Sequence, residues 1–181
     1  MIGYFPLPYK DEALYSIIAR YHYRIGNKSK YQTMEELFSS RNTAINTEYS
    51  NNIRSLENKL KHFSQSFTDI NLLKKHTTAP LYFPFINSKL SNPYLLSSLY
   101  RYNKRQNDIQ PKENLYFCLD CLNEQLEELG EGYWYRWHQI PGVFVCIKHK
   151  RPLLKHPINI VRLKSSGFVL PDSAAINQIT F

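Results

Sequence analysis

Cys118-Leu119-Asp120-Cys121 places two thiols three residues apart, and Cys146-Ile147-Lys148-His149 repeats the spacing with a thiol and an imidazole. A three-residue step lets a tight turn aim both side chains at one point, so the two pairs offer three thiolates and an imidazole to a single ion. Soft sulfur and borderline nitrogen donors in that ratio match tetrahedral zinc. The set uses up the three cysteines of the chain, which weighs against a CxxC redox pair or a chance cluster of buried thiols. Their odd number and their confinement to positions 118–146 also argue against a secreted disulfide framework. His138 and His156 are spare imidazoles that lack the knuckle spacing. Four protein ligands leave no position for water, so the expected ion is structural and not hydrolytic.

Other chemistry is sparse. The chain has no glycine-rich phosphate loop, no GxSxG elbow and no HExxH. Glu124, Glu127, Glu128 and Glu131 fall three and four apart, the spacing of a solvated helix face. A non-catalytic protein is the expectation.

Charge points to a polyanionic partner. Lys and Arg number 23 against 15 Asp and Glu, a formal net charge of +8. Around the metal motif the signs segregate: positions 118–132 hold acids and no Lys or Arg, whereas positions 133–164 hold bases and no acid. Arg136, Lys148, Lys150, Arg151, Lys155, Arg162 and Lys164 are therefore expected on one positive face, gripping a nucleic-acid backbone. The interleaved Tyr133, Trp134, Tyr135 and Trp137 alternate with the period of a half-buried strand, so the bases carry this expectation before the aromatics do.

The elements that must position these groups begin with an amphipathic helix over 11–25. Leu14, Ile17, Ile18, Tyr21, His22 and Ile25 form its stripe, Asp11 can cap its start and Gly26 can end it. Thr33-Met34-Glu35-Glu36 has the form of a capping box before a short second helix. Ile53, Leu56, Leu60 and Phe63 mark a third helix, and Thr68 can cap a fourth that carries Ile70, Leu72 and Leu73. The last two are separated by Gln65, Ser66 and Phe67. That interval suits either plain packed helices or a helix-turn-helix with Asn71, Lys74, Lys75 and His76 near DNA.

Prolines 80, 84 and 93 make 77–93 an aromatic strap; a helix is expected over Tyr94–Tyr102 and a polar surface loop over Asn103–Asn114. Another helix over Leu122–Leu129, then strands, should fill the interval between the knuckles. The expected fold is mainly α with a small zinc-binding α+β subdomain: a helical part over 1–105 and a CCCH zinc-finger part with a basic face over 106–181. No leader is evident at the start, and the apolar stretches are short and broken by proline, so a soluble, cytoplasmic protein is expected.

Three blocks resemble one family. Tyr4-Phe5-Pro6-Leu7-Pro8-Tyr9 with Asp11-Glu12-Ala13-Leu14-Tyr15-Ser16-Ile17-Ile18-Ala19-Arg20 is similar to the amino terminus of TniQ/TnsD proteins, as is His76-Thr77-Thr78-Ala79-Pro80-Leu81-Tyr82-Phe83-Pro84-Phe85. The metal half resembles that family's zinc region in order and approximate spacing, through Gly130-Glu131-Gly132-Tyr133-Trp134-Tyr135-Arg136 and His138-Gln139-Ile140-Pro141-Gly142-Val143 between the knuckles. The resemblance implies a prokaryotic target-selection factor that recognises an attachment site on DNA, or docks on an RNA-guided complex, and recruits a AAA+ ATPase that calls the transposase. It also implies that Cys118, Cys121, Cys146 and His149 are the zinc ligands. The chain departs from the family's pattern at Leu119, where proline is common, and at Lys150, where glycine is common.

Overall fold

Apolar spacing in the first third of the chain gives four helices: α1 (Leu14–Ile25), α2 (Lys30–Phe38), α3 (Ile53–Leu60) and α4 (Asp69–His76). A strand β1 (Asn114–Phe117), a helix α5 (Leu119–Leu129) and a strand β2 (Leu154–Asn159) follow. The structure, a computed structural model, describes residues 2–43, 45, 52–64, 67–81, 112–160 and 167–171. Arg162, Lys164, Gln65, Ser66, most of the aromatic strap, the expected 94–102 helix and most of the polar loop lie outside the described residues.

The helix ends correct two sequence expectations and support two. Gly26 closes α1 in the left-handed conformation at φ 75°, and the Thr68 hydroxyl accepts the Asn71 amide at the start of α4. Asp11 does not cap α1: the cap position is Ala13, whose side chain makes no capping hydrogen bond. Arg20 draws the neighbouring Glu12 carboxylate inward, where it accepts from Ser16 Oγ at 2.8 Å. The second helix starts before the supposed capping box, at the Ser29 cap, whose hydroxyl accepts from Gln32 N. Thr33 lies inside that helix, its hydroxyl paired with His22 Nδ1 at 2.7 Å and Asn27 Nδ2 at 3.0 Å.

α3 packs against both α2 and α4. The link from α3 to α4 runs over residues 61–68, longer than the three-residue interval read from sequence. His76 is buried at the end of α4, with Nδ1 2.7 Å from the Glu12 carbonyl.

One apolar core spans both sides of the expected domain boundary. Tyr15, Ile17, Ile18, Leu37, Leu56, Phe67 and Leu72 share it with Leu115, Phe117, Leu122, Trp134 and Phe168. The main chain ties the two parts as well. Ala13 N donates to Trp134 O at 2.8 Å and Arg136 N to Asp11 O at 2.9 Å, flanking an antiparallel bridge between Glu12 and Tyr135. Among the described residues 133–135 form only this isolated bridge, and the chain then turns through helical backbone at Arg136 into a short 3-10 helix at Trp137–Gln139, so the regular half-buried strand suggested by the alternation does not form. Both Tyr133 and Trp134 are buried, because Trp134 anchors the core and donates Nε1–H to the Val169 carbonyl at 2.7 Å. β1 and β2 pair antiparallel, with Tyr116 opposite Lys155 and Phe117 opposite Leu154.

Candidate metal centre and basic surface

β1 runs directly into the first knuckle, so the sheet fixes where that knuckle lies. Cys118 occupies the cap position of α5 with extended backbone, and Cys121 follows within the first helical turn. Leu119 is the first helical residue, where the backbone N–H needs no helical partner; this is why proline suits the position in the family's pattern and why leucine serves here. The second knuckle is a tight turn: Lys150 N donates to Cys146 O at 2.9 Å and Cys146 N to Arg151 O at 2.8 Å. Lys150 holds φ 56°, in the left-handed region that favours glycine.

The four side chains meet. His149 Nδ1 lies 3.4 Å from Cys118 Sγ, 3.3 Å from Cys121 Sγ and 3.8 Å from Cys146 Sγ, and the Cys121 and Cys146 sulfurs are 3.6 Å apart. All four ligand atoms fall within 4.8 Å of one another. A tetrahedral ion with bonds of about 2.3 Å to sulfur and about 2.0 Å to nitrogen needs ligand separations of roughly 3.5–3.8 Å, so the set is of the right size to hold a metal ion. His138 and His156 are buried elsewhere, packed edge-on against Tyr135 and Trp134 respectively.

The surroundings favour a cation. Burial, with the neighbouring Cys146 and Cys118 sulfurs, pushes the Cys121 thiol up; a bound dication reverses this, since a coordinating thiol is deprotonated outright. His149 Nε2 is 3.2 Å from Glu124 Oε1, which orients the ring so that Nδ1 faces the sulfurs. Glu124 is therefore a partner of the imidazole and of Lys148 Nζ, not simply part of a solvated face.

Packing behind the knuckles depends on two residues that sequence reasoning missed. Gln139, fully buried, accepts from Tyr116 N at 3.0 Å and donates to the Tyr116 and Tyr135 carbonyls, each at 2.9 Å, substituting for a strand partner of β1. Lys112 donates to the carbonyls of His138 and Val143 and lies over the Tyr116 ring at 4.2 Å. Burial brings its ammonium down to about 8. No spacing signal marks either residue.

A buried ion-pair network joins the first block of the chain to the loop after α5. Arg20, 3% exposed, bonds Glu12 at 2.9 Å and Glu131 at 2.9 Å, with its guanidinium 4.0 Å from the Tyr9 ring centre. Glu131 also accepts from Tyr9 and Arg24, so its expected place on a solvated face was wrong. Beside it, Gly132 is obligatory for another reason: a Cβ there would meet the Pro171 carbonyl at 2.5 Å.

The basic residues read from sequence separate into two groups. Lys148 pairs with Glu124 at 2.5 Å and Arg151 with Asp120 at 3.2 Å, because α5 folds its acids back across the second knuckle. Arg136, 13% exposed, turns inward to Asp11 and to the carbonyls of Lys74 and Thr77. Lys150 and Lys155 are exposed near the knuckles, as are Lys74 and Lys75 at the end of α4.

The fold and the site define a small helical protein built around a buried Cys3His group. The family model for TniQ matches residues 4–153, a span that contains all four ligands, and the chain belongs to the TniQ family. Over 153 residues it is 26% identical to the transposon Tn7 transposition protein TnsD of Escherichia coli, which covers 80% of this chain and 30% of that relative. The chain thus spans about 30% of the length of the relative it matches. Among the described residues no helix is long and apolar enough to cross a membrane.

Proposed function

We propose that the chain is a zinc-stabilised, non-catalytic targeting adaptor of a prokaryotic transposition system, which binds target DNA and recruits a AAA+ ATPase transposition regulator. The observation that carries this reading is the TniQ match over residues 4–153 enclosing a Cys3His group of tetrahedral size. Zinc held by Cys118, Cys121, Cys146 and His149 locks β1, α5 and the second knuckle together, and with its protein ligands complete it has a structural role. Lys150, Lys155, Lys74 and Lys75 are the exposed candidates for phosphate contact; Arg162 and Lys164 belong to the same proposal from sequence alone. Lys148, Arg151 and Arg136 contribute less net charge, being paired with Glu124, Asp120 and Asp11.

That pairing favours a second reading, in which the chain docks on an RNA-guided complex or on the ATPase without gripping DNA itself. A salt series separates the two. Direct DNA binding weakens with log salt at a slope of about −0.9 per phosphate neutralised, and Lys150→Glu/Lys155→Glu should reduce both affinity and slope. Negligible duplex binding by zinc-loaded chain at low salt would leave the docking reading.

A further inference from the structure

Arg136 is the shared wall of two adjoining hollows. On one side, the first block of the chain and the end of α4 enclose an open groove of about 480 Å³, lined by Leu7, Pro8, Tyr9, Lys10, Lys75 and Arg136 among others. On the other, Thr78, Leu81, Trp137 and Ile140 help line a smaller pocket of about 40 Å³. Leu7, Leu81 and Trp137 are exposed apolar side chains, and each lines one of these hollows. Burying them is favourable only for an occupant with apolar groups of its own.

The polar groups specify the rest of that occupant. Thr78 is 3% exposed, yet its hydroxyl has no hydrogen-bond partner among the described residues, and neither has the buried Nε of Arg136. Both atoms are sealed from solvent behind the cleft wall, so the cations an occupant can reach are the exposed Lys10 and Lys75. Lys10, Lys75 and Arg136 outnumber the lone lining acid, Asp11, so the cleft as a whole is positive. A duplex backbone satisfies the charge but not the apolar walls, since phosphates keep their hydration and present no apolar surface. We propose that this cleft docks a protein partner through a short segment in which acidic side chains alternate with large apolar ones. The apolar residues would seat against Leu7, Leu81 and Trp137, and the carboxylates would pair with Lys10 and Lys75. This rests on the adaptor part of the function proposed above, and Lys75, also a phosphate candidate there, is the residue the two proposals share.

The test is an NMR titration of the full, zinc-loaded chain with acetyl-Asp-Leu-Glu-Trp-amide. Its neutral counterpart acetyl-Asn-Leu-Gln-Trp-amide and a DNA duplex of about 20 base pairs serve as competing probes. The acidic peptide should shift the Trp137 indole and Leu81 methyl signals. Lys10→Glu and Lys75→Glu, both at exposed positions, should each weaken it by about three- to tenfold, whereas Lys150→Glu should not. The proposal is overturned if the acidic peptide shifts none of these signals, if the neutral peptide binds equally well, or if the charge reversals have no effect. It is also overturned if duplex DNA displaces the peptide and shifts the same signals, which would make the cleft a nucleic-acid surface. Loss of DNA binding in Lys150→Glu/Lys155→Glu with peptide binding intact would keep the two proposals apart.

Discussion

Arg20→Met tests the buried network that joins the first block of the chain to the loop after α5. The substitution keeps the length and apolar stem of the side chain but removes the guanidinium that bonds Glu12 and Glu131. Glu12 is 0% exposed, so among the described residues its carboxylate is left with Ser16 Oγ and Tyr9 N as partners. Breaking one side of a buried pair costs about 3–5 kcal/mol, chiefly the penalty of the stranded charge. At roughly 2–4 °C per kcal/mol for a chain of this size, the melting temperature should fall by roughly 6–20 °C.

The pH dependence gives a second handle. Burial already pushes the Glu12 carboxyl above its ordinary 4.5, against the opposing pull of Arg20. A raised carboxyl favours folding most when protonated, below its unfolded value, and loses that advantage as pH rises through the folded value. Removing Arg20 raises it further, so the gap between Arg20→Met and wild type should narrow on acidification. Adding Glu12→Gln should restore part of the loss at neutral pH. The assay is urea unfolding of the zinc-loaded proteins at neutral and mildly acidic pH. A loss below about 0.5 kcal/mol at neutral pH, or no recovery with Glu12→Gln, would refute the reasoning.

Three further outcomes follow from the geometry. Glu124→Gln should lower metal affinity by about 10–100-fold, read by competition with a chromophoric chelator, because His149 Nε2 loses its carboxylate partner. Lys150→Gly should stabilise the zinc-loaded chain by about 1 kcal/mol in thermal or urea unfolding, since φ 56° strains a residue with a Cβ. Burial lowers His138 to about 4, with Lys112 and His149 acting in the same direction, so its stabilising contribution is present above its ordinary 6.5 and is lost as pH falls toward 4. His138→Gln should therefore flatten the stability profile in that window by up to about 1.4 kcal/mol per pH unit.

Local signals in the sequence were the legible ones. The knuckle spacing brought out Cys118, Cys121, Cys146 and His149, and the four do converge. The Gly26 stop and the Thr68 cap were readable because each acts within a few residues. Pairings distant in sequence were not readable. Glu131 looked like one more acid on an exposed helix face, but its partner Arg20 lies 111 residues away. The charge segregation around the metal motif pointed to one positive face, yet α5 turns Asp120 and Glu124 onto Arg151 and Lys148. Thr33 had the form of a cap, but His22 and Asn27 engage its hydroxyl and Ser29 opens the helix. β1 and β2 escaped notice because each is short and their pairing bridges the whole metal motif.

The most direct test of the adaptor account is recruitment. Labelled duplex DNA carrying the transposon's target site is mixed with the transposon's own AAA+ ATPase, with and without this chain, and ATPase occupancy of the site is measured by fluorescence. Occupancy should rise on the order of tenfold when zinc-loaded chain is present, a coupling of ordinary size, and the rise should be lost when Cys146→Ser removes a metal ligand. Equal occupancy with and without the chain would contradict it.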